Sequence, residues 1–120
     1  MAAKMSFLSS EEIRDAAVEA IDSLKGKEVV VLDVRDRTGM TDYMIIASGT
    51  SNRHVKSMAD NVVMELKKRG ELPLGVEGET AGDWILVDLG GVIVHVQMPE
   101  TRAFYDLEKL WGSAPSGNAE

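Results

Sequence analysis

The feature that most constrains this chain is the stretch GDWILVDLGGVIVHV, from Gly82 to Val96. It reads as two β-strands joined by the two-residue turn Gly90-Gly91. So short a turn fixes the pairing register. Leu89 then faces Val92, Val87 faces Val94, and Ile85 faces Val96. That side of the hairpin is wholly aliphatic and must pack on a core. The other side pairs Asp88 with Ile93, Leu86 with His95, and Trp84 with Gln97. It puts Asp88 and His95 in diagonal positions. A chain carrying this hairpin buries one face and has to find a use for the second, mixed one.

The rest of the sequence supplies elements to cover the aliphatic face. Ser9 with Glu12 forms a capping box, and Leu8 with Ile13 can close it as a hydrophobic staple. Ile13, Ala16, Ala17, Ala20, Ile21 and Leu24 then follow at helical spacing, with Gly26 as the stop. The run EVVVLDV, 28–34, is apolar on both faces for most of its length, which predicts a strand covered on both sides. YMIIA, 43–47, predicts a second strand. A helix capped by Thr50 or Ser51 buries Val55, Met58, Ala59, Val62 and Leu66, and ends at Gly70 after Lys67-Lys68-Arg69. A short strand is expected around Val76. After Pro99 a single last helix is expected over 102–111, with Phe104, Leu107, Leu110 and Trp111 as its buried stripe. The order helix, strand, strand, helix, hairpin, helix predicts an α/β fold: one domain over 1–112 with a mixed sheet flanked by helices. Residues 1–7 are expected to fray, and 113–120 (SAPSGNAE) to be a disordered tail.

Three uses compete for the mixed face. It can be a wall covered by helices, with Asp88 and His95 hydrogen-bonded at its edge. It can be an active site, but a lone Asp–His pair lacks a nucleophile in a Gly-x-Ser-x-Gly elbow, and the only other histidine, His54, sits on a different element. Or it can be a recognition face, since an exposed Trp beside Leu and Ile is a costly patch unless a partner covers it. The chain's charge of −7 and pI of about 4.8 bear on the partner. An acidic domain is poorly suited to neutralising phosphates and well suited to a basic protein. That argues against direct DNA binding and for little or no direct rRNA contact. The absence of Cys excludes disulfides and thiolate chemistry. With no signal-peptide pattern and no bilayer-spanning apolar run, the reading is a cytoplasmic protein with no membrane partner.

Three ordered blocks carry a resemblance. They are TDYMIIASGTSNRHVKSMADNV, DWILVDLGGVIVHV and ETRAFYDLEKLW. Together, over about residues 29–111, they resemble the Iojap family, the ribosomal silencing factors. The matched positions are Asp42, Gly49-Thr50-Ser51, Trp84, Asp88, His95, and Arg102 through Tyr105 to Leu107-Glu108-Leu110-Trp111. The resemblance implies a partner, large-subunit ribosomal protein fourteen, on the face of the large subunit that meets the small one. Binding there would block subunit association and repress translation, notably under nutrient limitation. It also implies a nucleotidyltransferase-like fold without that fold's catalytic acids, no catalysis, and no cofactor or metal. Asp60 stands alone within a helix, and Asp83 and Asp88, five apart, point to opposite faces of a strand. The alternative is a nucleotide-handling enzyme with a degenerate fold, in which Gly49-Thr50-Ser51 would receive a phosphate.

The expected partner-binding residues are therefore Asp42, Trp84, Leu86, Asp88, His95, Arg102 and Tyr105. Arg102, placed in a first helical turn against the dipole preference, needs a carboxylate, with Asp88 or Asp42 as candidates. Arg102 and Tyr105 are read as interface or site-shaping residues. A homodimer of the free protein is left open.

Overall fold

The computed structural model describes residues 8–112. The expected fraying of 1–7 and the expected tail at 113–120 lie outside them. The elements are α1 (Ser10–Ser23), β1 (Lys27–Asp33), β2 (Tyr43–Ser48), α2 (Asn52–Lys68), β3 (Gly75–Glu77), β4 (Trp84–Asp88), β5 (Val92–Gln97), α3 (Pro99–Tyr105) and α4 (Leu107–Trp111). The strands form one five-stranded sheet in the order β1-β2-β5-β4-β3. β2 runs parallel to β5, and the other three pairings are antiparallel. The mixed-sheet α/β domain expected from the sequence is the fold observed.

The hairpin register is as the two-residue turn dictates. Trp84 pairs with Gln97, Ile85 with Val96, Leu86 with His95, Val87 with Val94, and Asp88 with Ile93. Gly90 takes φ 85°, a left-handed conformation that favours glycine. The aliphatic side joins Ile45, Ala47 and the inward stripes of α1 and α2 in one core. Both stripes are as predicted: Ile13, Ala16, Ala17, Ala20 and Ile21 from α1, and Val55, Met58, Ala59, Val62 and Leu66 from α2. The capping box forms, with the Glu12 amide donating to Ser9 Oγ at 3.1 Å and the Ser9 amide to Glu12 Oε1 at 2.9 Å. The left-handed residue after α1 is Lys25 (φ 62°), not Gly26. Gly26 serves a different purpose: a Cβ there would run into the Ile21 side chain.

Two expectations fail on the C-terminal side and on β1. The single last helix is two, because Asp106 adopts a left-handed conformation (φ 48°, ψ 56°) and breaks it. The break changes the phase of the pattern, so the expected buried stripe does not form. Phe104 and Leu110 are 80% and 64% exposed, while Leu107 and Trp111 pack against Val34, Met44 and Ile46. β1 is not covered on both sides either. It is an edge strand, and Val31, 42% exposed, looks into an open cleft along α1. A continuous apolar run cannot distinguish a central strand from an edge strand partly shielded by a helix.

Candidate functional site

The outer face of the sheet, opposite the α1/α2 core, carries the mixed side of the hairpin. The pairings set it out strand by strand. Leu32 on β1 lies beside Met44 on β2, and Met44 beside Ile93 on β5. Ile46 lies beside His95, which pairs with Leu86 on β4, which pairs with Glu77 on β3. The short helices cover only part of this face. α4 lays Leu107 and Trp111 over Met44, Ile46 and Leu32. α3 covers the end nearest Ser48. Leu86 and Ile93 remain half-buried, with the Glu77 carboxylate on one flank and Asp88 at the turn end.

Trp84 is the organising side chain. Its indole N–H donates to His95 Nδ1 at 3.0 Å, and its ring lies 4.8 Å, centroid to centroid, from Tyr105. Phe104 stands edge-on to Tyr105 at 5.0 Å. Four rings thus run from the sheet to the exposed tip of α3: His95, Trp84, Tyr105, Phe104. The first is fixed, since His95 is buried and burial pushes its pKa down to about 4. With Nδ1 accepting from Trp84, the neutral ring carries its proton on Nε2. The last two stand in solvent, Tyr105 at 53% exposure. Exposed aromatic side chains such as Tyr105 and Phe104 are of the kind that anchors protein interfaces.

The remaining expected site residues are hydrogen-bonded within the protein. Asp88 does not meet His95. Its Oδ1 accepts the Gly90 amide at 2.9 Å and so shapes the turn. Asp42 lies at the opposite end of the sheet from Trp84, where its Oδ2 accepts the Ser10 hydroxyl at 2.6 Å at the first turn of α1. A carboxylate there also favours the helix dipole. Arg102 is buried, and its partner is neither Asp88 nor Asp42. Nε and Nη2 both donate to Glu108 at 3.0 Å, and Nη1 donates to Ser48 Oγ at 2.9 Å. The fork spans the Asp106 break and ties α3 and α4 to the end of β2. The same guanidinium holds the Glu108 carboxyl below the ordinary carboxylate range. Sequence reasoning placed Glu108 among the matched positions but missed it as the partner of Arg102, because it lies beyond a break that an unbroken helix would not have. It missed Phe104 for the same reason. Glu77 could have been found by carrying the hairpin register one strand further.

The turn Gly49-Thr50-Ser51 is closed on itself. The Thr50 amide donates to His54 Nδ1 at 2.9 Å, and the His54 amide donates to Ser51 Oγ at 3.0 Å. His54 Nε2 lies 2.7 Å from the Leu24 carbonyl and anchors the turn to the end of α1. Two of the amides that a phosphate at this turn could meet, those of Thr50 and His54, are thus engaged inside the protein. Among the described residues no group of three or more His, Asp or Glu side chains is placed to hold a metal ion. No helix among them is long and apolar enough to cross a membrane.

Comparison with known proteins shows the family. Residues 8–120 match the family model described as "Ribosomal silencing factor during starvation". The chain belongs to this family. Ribosomal silencing factor RsfS of Haemophilus influenzae is 50% identical over 94 residues, covering 78% of this chain and 92% of the relative. That of Chromobacterium violaceum is 45% identical over 102 residues, covering 85% and 84%. A crystal structure of a Chromobacterium violaceum protein superposes with a TM-score of 0.86 at 42% identity, over 94% of this chain and 95% of that one. The family expected from the sequence is thus the one found, on the mixed-sheet α/β domain described above.

Proposed function

We propose that this protein is a non-catalytic translational repressor of the cytoplasm. It binds large-subunit ribosomal protein fourteen and thereby keeps the small subunit from joining the large one, notably when nutrients are limiting. The observation that carries the proposal is the ridge of Trp84, Tyr105 and Phe104 standing beside half-open Leu86 and Ile93, with Glu77 and Asp88 at its margins. Aromatic anchors supply affinity at protein interfaces, and a margin of one charge sign selects a partner of the other. Ribosomal proteins are generally basic, which suits a chain of net charge −7.

Within this reading Trp84, Leu86 and Tyr105 touch the partner. His95 and Arg102 act through their neighbours: His95 fixes the indole, and Arg102 fixes the helix that presents Tyr105. Asp88 and Asp42 hold the hairpin and α1 in place. Repression then works by occupancy, with no group transferred and no cofactor needed. The test is co-sedimentation with isolated large subunits. The protein is expected to pellet with them and to shift mixtures of the two subunits toward the free forms. An unchanged profile at several-fold excess of protein would refute the proposal.

A further inference from the structure

We infer that α4 is a displaceable strap, hinged at Asp106, that hides an extension of the docking face in the free protein. The inference rests on the reading of that face given above. Five residues are too few to hold a helix by themselves, so α4 persists only through what it touches. None of its residues is buried, and no side chain caps its N-terminus. Its attachments include the half-buried Leu107 and Trp111, the Glu108 end of the Arg102 fork, and the close approach of Gly112 to Leu32. Arg102 itself keeps a second anchor on Ser48, so α3 stays in place when Glu108 lets go. The hinge is a non-glycine residue at φ 48°, a conformation that L side chains rarely adopt and that the surrounding contacts must enforce.

What lies beneath is apolar and continuous with the open face. Met44 and Ile46 are buried under the strap; Met44 is the direct parallel neighbour of half-buried Ile93, and Ile46 of buried His95, which pairs with half-open Leu86. Bare, this strip would add Met44 and Ile46 to the apolar surface already open at Leu86 and Ile93. Covered by α4 it is masked, and the docking face is narrower. The occupant is the same basic partner. Its cations compete with Arg102 for Glu108, its seat on Leu86 and Ile93 widens onto Ile46 and Met44, and the strap swings outward.

The test uses the full chain, which has no native Cys to interfere. A Leu32→Cys/Gly112→Cys pair supplies the lock when oxidised, since a Cβ at 112 would lie 2.8 Å from a Leu32 methyl; it would lie equally close to the Glu108 carbonyl oxygen, so the reduced pair must first match wild type in affinity and melting. Glu108→Gln releases the latch. Affinity for isolated large subunits is measured for wild type, for the pair oxidised and reduced, and for Glu108→Gln. The expected result is at least tenfold weaker binding on oxidation, recovery on reduction, and several-fold tighter binding by Glu108→Gln. Equal affinity of the oxidised and reduced pair, or weaker binding by a natively folded Glu108→Gln, overturns the strap while wild-type binding leaves the docking reading standing. Failure of wild type itself to bind overturns both.

Discussion

Replacing Trp84 by Phe removes one N–H and keeps an aromatic ring against Tyr105, so it isolates the bond that sets the ridge. In the native protein that N–H meets His95 Nδ1 at 3.0 Å, and His95 is only 5% exposed. Without the donor, a buried ring nitrogen loses its partner, which costs about 1–3 kcal/mol. The smaller ring gives up some apolar contact as well, but Trp84 is only half-buried, which limits this to under about 1 kcal/mol. The total, about 2 kcal/mol, lowers the urea midpoint by about 1 M at a slope usual for small domains. A second signature separates this from general loosening. With Nδ1 released, the neutral ring loses a bond that favours it, so the imidazole takes up a proton more readily and its pKa moves up from about 4, while burial still holds it low. Urea melts and an NMR titration of the His95 ring are made on the same variant. An unchanged midpoint together with an unchanged titration would refute the claim that the Trp84–His95 bond sets the ridge.

Three further outcomes follow from the same geometry. His95 binds its proton at about 4 when folded and at the ordinary 6.5 when unfolded, so below pH 6.5 the unfolded chain holds more protons and stability falls as pH drops toward 4. The full loss is about 3 kcal/mol, and His95→Gln should flatten that part of a stability-against-pH curve, leaving the decline of the carboxylates at lower pH. Arg102→Met should cost about 1–3 kcal/mol in urea melts, because Glu108 and Ser48 lose their shared donor and the two short helices lose their tie. Tyr105→Ala, at an exposed position, should change stability by less than about 1 kcal/mol yet weaken large-subunit binding by about 2 kcal/mol or more, read by melts and co-sedimentation together.

Much of this fold is written locally. The two-residue turn alone dictates five cross-strand pairs, and the capping box and the two apolar stripes place α1 and α2 without reference to the rest of the chain. What local pattern cannot convey is a break enforced by tertiary contacts. Asp106 carries no glycine or proline signal; an Asp tolerates the left-handed conformation better than most side chains, and the Arg102–Glu108 fork and the seat of Leu107 and Trp111 fix the turn there. The same limit hid Phe104, whose spacing fits a buried stripe until the phase changes. It also misplaced the partner of Arg102, because ion pairs follow space rather than sequence. The candidate site was legible in part. The hairpin register put Trp84, Leu86 and His95 on one face, but it could not tell that Asp88 bends back to its own turn, or that Asp42 serves the start of α1.

The central claim is that the open part of the outer face keeps ribosomal subunits apart, and Leu86→Lys tests it most directly. The lysine would sit opposite Glu77 on β3 and beside Asp88, so the fold tolerates it, while it places a cation where a basic partner must dock. Isolated small and large subunits are mixed at a magnesium concentration that favours joining, and sedimentation reads the share left free. The account expects wild type to hold subunits apart in a dose-dependent way, and Leu86→Lys, with an unchanged urea melt, to need at least tenfold more protein for the same effect. Equal potency of the two proteins, at equal stability, would contradict it.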